Sequence, residues 1–227
     1  MADEKQHFNQ RVNQEGPLIQ IDLQALNEGK KIEGENSESE NSESENSEED
    51  NVAVADRLNI SEVPLLGYIN IRGRTDNAAF VSAVEGVLGG ALPAANNTFV
   101  THDNFTILWF GPDEWLVLTP SGQETKLINA LRKAFGDLFA AATDVTGGYT
   151  AVDVSGSAAI DLLRKGSTID FHPSVFGVGQ CAQTLLGKTG VAIYHNSEAP
   201  NYRIVFRRSF ADYLGLWLLD ASREFVS

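Results

Sequence analysis

The pattern of hydrophobic and polar positions divides the 227-residue chain into three parts. Residues 1–32 are mostly polar, and residues 33–56 are rich in Glu, Asn and Ser, with ENSES repeated in tandem. Apolar residues then recur with regular spacing from residue 57 to residue 227. We therefore predict a mostly disordered N-terminal tail, a disordered acidic linker and one folded region over residues 57–227.

Two features of the N-terminal part leave alternatives open. Residues 17–26 (PLIQIDLQAL) form a short apolar segment that suits a helical turn, a strand that docks on another surface, or a weakly ordered tail. The acidic repeat suits a solvated linker, because dense like charges repel one another and leave nothing apolar to bury. Phosphorylation of its serines and docking on a basic patch are the other interpretations.

Within residues 57–227, alternating and helical spacings of apolar residues predict seven strands and four helices. The predicted strands cover residues 65–71, 105–110, 114–118, 149–154, 183–186, 190–194 and 202–206. The predicted helices cover residues 76–88, 123–135 and 158–163, with a last helix that begins at Ser209. Gly89 and Gly136 follow two of these helices and are typical residues at helix ends.

Polar residues at three helix starts predict N-caps. Thr75 and Ser155 each precede a predicted helix, and Ser209 with Asp212 three residues later forms an acidic variant of the capping box. The last helix carries apolar side chains at helical spacing, so one of its faces should be buried. These side chains are Phe210, Tyr213, Leu214, Trp217, Leu218, Ala221 and Phe225.

The order of elements is strand-helix-strand-strand-helix, and a similar order follows in the second half of the folded region. This order predicts an α+β fold of two ferredoxin-like halves with mainly antiparallel sheets. Helices on one side of each sheet would leave the other side free for a second layer or for a partner. The similarity of the halves lies in element order, since no sequence repeat is visible.

Charge and composition narrow the function classes. The formal net charge is −14, and nine acidic residues between Glu33 and Asp50 account for most of it, which leaves about −5 for the rest. Negative charge argues against nucleic acid and anionic membrane surfaces as partners. The sequence has no apolar run long enough to span a membrane and no signal-peptide pattern at its start. Cys181 is the single cysteine, so we predict a cytoplasmic protein without a disulfide.

No pattern for independent chemistry is visible in the sequence. It lacks a P-loop and a Rossmann glycine motif, and the spacing of its four histidines (His7, His102, His172 and His195) and Cys181 does not suit zinc. We interpret His102 and His195 as surface residues, His172 as structural and Cys181 as a buried, inert thiol. Ser155 lacks the G-x-S-x-G context of a nucleophile. Asp144, Asp153, Asp161 and Asp170 show no sign of convergence. We predict no catalytic, cofactor-binding or metal-binding residue in this chain.

Four residues are candidates for contacts with a partner. Trp109 and Trp115 flank the predicted turn at Gly111 and Pro112, where they suit either packing within the hairpin or anchoring of a partner subunit. Arg207 and Arg208 precede the last helix, where positive charge is unfavourable for the helix dipole. We therefore expect both arginines to pair with carboxylates of this chain or of a neighbour.

Several short motifs, in this order, resemble the gamma subunit of heterotetrameric sarcosine oxidase. The resemblance covers roughly residues 66–225, and the acidic repeat departs from the family pattern. The motifs are Ile71-Arg72-Gly73, residues 108–116 (LWFGPDEWL), Val154-Ser155-Gly156, residues 170–173 (DFHP), residues 181–184 (CAQT), and residues 208–211 (RSFA) followed by Trp217-Leu218.

The resemblance implies a fold related to the folate-binding domain of aminomethyltransferases, which include the glycine-cleavage T-protein. It also implies a complex that oxidises sarcosine to glycine and hydrogen peroxide and forms 5,10-methylenetetrahydrofolate when tetrahydrofolate is present. FAD, FMN, NAD and tetrahydrofolate are expected in the alpha and beta subunits, and zinc in the delta subunit. The gamma chain would be a structural subunit, with the alpha subunit as its main partner.

Two related functions stay open at this point. A free-standing folate-binding aminomethyltransferase should carry an R-T-G-Y-T-G-E-like segment after the 149–193 stretch, whereas residues 191–195 here are VAIYH. A related folate-dependent RNA-modification factor has a signature that Gly179 to Ala182 does not match. The equivalent subunit of an N-methyl amino acid dehydrogenase, acting for example on N-methylglutamate, is not separable from the first interpretation by this sequence.

Deletion of residues 35–50 tests the interpretation of the acidic repeat. We expect assembly with partner subunits to be unchanged, because the segment offers no apolar surface to bury. Co-purification and size-exclusion chromatography of the deleted and intact chains measure assembly directly. Loss of the complex on deletion would show instead that the repeat is a docking element.

Overall fold

The structure is a computed structural model that describes residues 57–63, 65–197 and 201–225. The predictions for the tail and for the acidic linker lie outside these residues. The strands are β1 (Asn59–Glu62), β2 (Leu66–Arg72), β3 (Phe99–His102), β4 (Phe105–Gly111), β5 (Glu114–Pro120), β6 (Ala141–Asp144), β7 (Tyr149–Ser155), β8 (Cys181–Leu186), β9 (Thr189–Ser197) and β10 (Asn201–Arg207). The α-helices are α1 (Ala78–Leu88), α2 (Glu124–Phe135), α3 (Ala159–Arg164) and α4 (Ala211–Ser222).

The strands form two five-stranded antiparallel sheets with matching topology. The order of the first sheet is β3-β4-β5-β2-β6, and that of the second sheet is β8-β9-β10-β7-β1. Each sheet is therefore a ferredoxin-like arrangement with one added edge strand. This confirms the predicted α+β class and the mainly antiparallel halves.

The two halves differ in the origin of one edge strand. In the first sheet β6 follows α2 in the chain and pairs with β2. The equivalent position in the second sheet is held by β1, which precedes the whole first half and pairs with β7. Ile60 of β1 lies opposite Val154 of β7, so the second half is completed by a strand from the beginning of the folded region.

The elements stack in four layers with three apolar clusters between them. Helices α1 and α2 cover the outer face of the first sheet, and α3 and α4 cover that of the second. The inner faces pack against each other through a third cluster, which includes Tyr68, Leu116, Ala151, Cys181 and Tyr194. The face that the sequence left free for a second layer or a partner is thus mostly occupied by the other sheet.

Direct contacts join the two sheets along this inner layer. The ring centroids of Phe99 and Tyr194 are 4.8 Å apart. At the β8 edge, the side chain of Gln183 donates a hydrogen bond of 2.6 Å from Nε2 to the carbonyl oxygen of Phe110. Thr98 and Gln180 form an antiparallel β-bridge beside it. Backbone pairing therefore connects the sheets at one edge.

The predicted helix caps are wrong at all three starts. Helix α1 is capped by Asn77 and not by Thr75, since Asn77 Oδ1 accepts hydrogen bonds from the backbone N–H groups of Ala79 and Phe80 at 3.0 and 3.4 Å. Ser155 is the last residue of β7 and lies four residues before the first residue of α3, Ala159, whose N-cap position is held by Ala158. Ser209 lies inside a 3-10 turn that precedes α4, so its hydroxyl does not cap the α-helix.

The sequence patterns did not predict three of the strands, each of which is only four residues long. β1 reads NISE, β3 reads FVTH and β6 reads AATD, so none shows enough alternation to be distinguished from a loop. The buried face of α4 is also narrower than the apolar spacing predicted. Leu214 and Leu218 are fully buried, whereas Phe210, which was expected on the same buried face, is 41% exposed.

Substitution of Ile60 tests whether β1 is an integral part of the second sheet. Its side chain is fully buried in the cluster under α3 and α4, so Ile60→Ala should lower the free energy of unfolding by about 2–5 kcal/mol. Urea denaturation measures the change, with the exposed Leu216→Ala as the matched control at about 0.5 kcal/mol or less. A similar cost for both variants would contradict the role of β1.

Candidate interaction site

The inner layer between the sheets opens at one end, where residues of the second sheet and Phe110 of the first sheet line the space. This opening is a cleft of about 470 Å³, here called the Arg207 cleft. Strand alternation explains its composition, because Val205 and Arg207 of β10 point to the same face of the sheet. Tyr149 lies opposite Arg207 and Ala192 lies opposite Val205 in register. We define the cleft by six of its lining residues: Phe110, Tyr149, Gly190, Val205, Arg207 and Phe210.

Arg207 is exposed and rests on an aromatic ring. Its guanidinium carbon lies 4.3 Å from the ring centroid of Tyr149, a cation–π contact. Partial burial raises the pKa of Tyr149, and the positive charge of Arg207 opposes this shift. No carboxylate among the residues that the structure describes pairs with Arg207. Pairing of Arg207 with a carboxylate of a neighbouring subunit stays a prediction.

A second cleft, of about 410 Å³, lies on the other side of Tyr149 and contains Arg208 in its wall. Three carboxylates, those of Glu62, Glu124 and Asp144, line it as well. Glu124 is buried, and its Oε1 accepts a hydrogen bond of 3.1 Å from the backbone N–H of Gly122. The cleft mixes both signs of charge, so it does not define one ligand chemistry.

The two tryptophans have different surroundings although they lie opposite each other on β4 and β5. Trp115 is 1% exposed, and its ring centroid lies 5.8 Å from that of Phe80 in the core under α1. It is therefore not presented on the surface of this chain, and its proposed role as an interface anchor does not fit the structure. Trp109 is half-buried beside Pro112, where an interface role stays a prediction.

The other residues considered for chemistry are separate and mostly have local hydrogen-bond partners. Nε2 of His102 lies 2.8 Å from the carbonyl oxygen of Ala91, and Nδ1 of His172 lies 2.7 Å from Oγ of Ser174. His195 is buried with its ring stacked on Tyr202, so its interpretation as a surface residue is wrong.

Cys181 is buried in the inner layer, as predicted. Its thiol donates toward the carbonyl oxygens of Thr98 and Trp109 at 3.2 and 3.8 Å. Burial raises the pKa of the Cys181 thiol to about 11, so little reactive thiolate exists at neutral pH. Among the described residues, no group of three or more His, Cys, Asp or Glu side chains could hold a metal ion.

The four aspartates do not converge, but one of them forms an ion pair that the sequence did not reveal. Asp153 of β7 accepts two hydrogen bonds from Arg203 of β10 at 2.7 and 2.8 Å, a bidentate pair at the margin of the inner layer. Tyr68 and Tyr194 lie nearby, and burial raises the pKa of Tyr194 to about 12. The opposite charges were visible, but only the β7–β10 register shows that they meet.

Comparison with known proteins first identifies the class of the fold. The chain is similar to glycine cleavage system aminomethyltransferase T from Bartonella henselae, with a TM-score of 0.56 and 12% identity over 77% of this chain and 49% of that one. At this identity the similarity shows the fold alone. The class is therefore that of the aminomethyltransferase-like α+β proteins.

The particular family follows from closer relatives. Residues 72–224 match the model of the sarcosine oxidase, gamma subunit family, and the chain belongs to this family. It is 30% identical to sarcosine oxidase subunit gamma of Corynebacterium sp. (strain P-1) over 77% of this chain and 85% of that protein. It is 32% identical to the same subunit of Corynebacterium sp. (strain U-96) over 70% and 75%.

A solved structure agrees with this assignment. A chain of heterotetrameric sarcosine oxidase from Corynebacterium sp. U-96, solved with pyrrole 2-carboxylate, matches with a TM-score of 0.69 and 28% identity. The match covers 75% of this chain and 86% of that one. The family resemblance that the sequence motifs indicated is confirmed. In the described part of the chain, none of the helices has the length and apolar character that crossing a membrane requires.

Substitution of Asp153 measures what its ion pair contributes. Asp153→Ala leaves Arg203 without its carboxylate in a site where both side chains are 22% exposed, so we expect a loss of about 1.5–3 kcal/mol in unfolding free energy. Asp161→Ala, which breaks an exposed pair with Arg164, is the control and should cost less than about 1 kcal/mol. Equal costs in urea denaturation would show that the Asp153 pair is not important for the stability of the fold.

Proposed function

We propose that this chain is the gamma subunit of a heterotetrameric sarcosine oxidase and acts in it as a structural subunit without a catalytic site of its own. The observation that supports this is family membership together with nearly complete coverage: the matches span 85% of a curated gamma subunit and 86% of a chain from the solved heterotetramer. The chain is thus part of an oxidoreductase complex.

In this proposal the chemistry takes place in other subunits. The complex oxidises sarcosine to glycine and hydrogen peroxide and, with tetrahydrofolate, yields 5,10-methylenetetrahydrofolate. The alpha and beta subunits hold FAD, FMN, NAD and tetrahydrofolate, and the delta subunit holds zinc. We expect the gamma chain to contact chiefly the alpha subunit, and we expect the complex to work in the cytoplasm, since a single cysteine is typical of that compartment.

The packing of the chain suits the role of a rigid support. Both sheets are covered on their outer faces by helices and on most of their inner faces by each other. Such a block presents fixed surfaces to its neighbours without ordering loops on binding, which keeps the entropic cost of assembly low. The described candidates for chemistry (Ser155, His172 and Cys181) have structural environments instead.

Co-expression with candidate alpha, beta and delta subunits tests the proposal. We expect this chain to co-purify with them in one species on size-exclusion chromatography, and we expect its omission to abolish the stable complex. Sarcosine-dependent hydrogen peroxide formation is the activity to follow. A stable and active enzyme that forms without this chain would contradict the structural role.

Titration of the isolated chain with tetrahydrofolate separates the proposal from a free-standing aminomethyltransferase-like function. We expect no heat or fluorescence change with the isolated chain, whereas the assembled complex should bind. Tight binding by the isolated chain would favour the aminomethyltransferase-like alternative. Comparison of sarcosine with N-methylglutamate as substrates of the complex tests the related dehydrogenase.

A further inference from the structure

We propose that the Arg207 cleft is a docking site for a segment of a partner subunit in which a carboxylate side chain adjoins an apolar one. The inference rests on the proposed function, because it assigns a surface to the assembly that this function requires. Three properties of the described residues support it: two exposed apolar side chains at its border, Leu185 and Phe210, a single positive charge, and an aromatic ring that supports this charge.

The floor of the cleft is a continuation of the buried inner layer. Val205 and Ala192 belong to the cluster between the sheets. On the edge strand β8, Gln183 faces the first sheet, so Leu185 two residues later faces the same side. Leu185 is 56% exposed and lies opposite Gly190, beside the cleft. Val205 and Ala192 are themselves only 1% and 6% exposed, so the apolar surface that a partner can reach on this side is that of Leu185.

The charge of the cleft specifies the chemistry of its occupant. Arg207 is the one charged side chain among the described residues that line it. The Tyr149 ring supports the guanidinium, so less side-chain freedom is lost when a carboxylate binds to it. Phe210, 41% exposed, borders the same space. Arginine and aromatic side chains around an apolar centre are the typical composition of a binding hot spot.

The acidic repeat of this same chain fits the cleft less well than a partner does. Between Glu33 and Asp50 it carries nine carboxylates and no apolar side chain, since its other residues are Asn, Ser and Gly. It could neutralise Arg207, but it could not cover the exposed apolar surface of Leu185 and Phe210. An occupant with both kinds of side chain satisfies both parts of the cleft. Residues 17–26 of this chain also have both, with Asp22 between Ile21 and Leu23. We place the occupant in the partner subunits, because the proposed function requires a surface for assembly, and the test below separates the two sources.

Two substitutions in the cleft test the proposal by different means. Arg207→Met removes the charge and keeps a side chain that can lie on Tyr149. Gly190→Glu adds a carboxylate in the cleft, where an added Cβ would meet no heavy atom within 4 Å, so the fold should accept it. The matched controls are Arg223→Met, an exposed arginine after α4, and Gly86→Glu, an equally open glycine on α1.

The measurement is the dissociation of this chain from the purified complex, followed by mass photometry over a dilution series. We expect both cleft variants to raise its dissociation constant about ten- to a hundredfold, the effect typical of a lost hot-spot contact, and both controls to leave it unchanged. Thermal unfolding of each isolated variant verifies that it folds.

Each other outcome overturns one specific statement. If the wild-type chain does not co-purify with the partner subunits, the proposed function fails. If it does, and the cleft variants dissociate like the controls, the docking site is wrong while the proposed function stands. If the cleft variants weaken assembly only when residues 1–56 are present, an N-terminal segment of this chain is the occupant, and the proposal of a partner segment is overturned.

Discussion

The face-to-face packing of the two sheets is the constraint on which the rest of the structure depends. Helices occupy both outer faces, so each inner face excludes water only through contact with the other sheet. This requirement explains why Cys181 and Tyr194 are buried and why the Asp153–Arg203 pair lies at the margin of the layer. At the margin both charges keep contact with water and avoid most of the cost of burial.

The same packing also accounts for the Arg207 cleft on the surface of the molecule. The two sheets are matched in strand order, and the layer between them opens at one end into the Arg207 cleft, which is lined mostly by the second sheet. Arg207 and Tyr149 occupy this end, opposite each other on neighbouring strands. At this end the interior residues Val205 and Ala192 stay buried, while Leu185 and Phe210 at the border are exposed.

The sequence was sufficient to predict helices and strands that have long, regular apolar patterns. It was not sufficient to predict contacts that depend on the pairing of strands distant in the chain. All four helices and seven strands were predicted at nearly correct positions, because their apolar residues repeat over several turns or pleats. The strands β1, β3 and β6 were missed because four residues carry too little pattern. For Trp115 the sequence left packing and an interface role both open, because composition cannot show which face of a hairpin is covered. The Arg207–Tyr149 contact depends on strand register, which no local pattern shows.

The position of β1 affects how the chain can fold during synthesis. Ile60 pairs opposite Val154, more than ninety residues later, while the complete first sheet lies between them. At roughly 5–20 residues per second, the ribosome delivers the partner strand several seconds after β1 has appeared. The first sheet can close in that interval, but the second cannot be completed until its first-made strand is recruited. The chain order therefore allows the first sheet to form before the second, and the pairing of β1 with β7 then links the two halves.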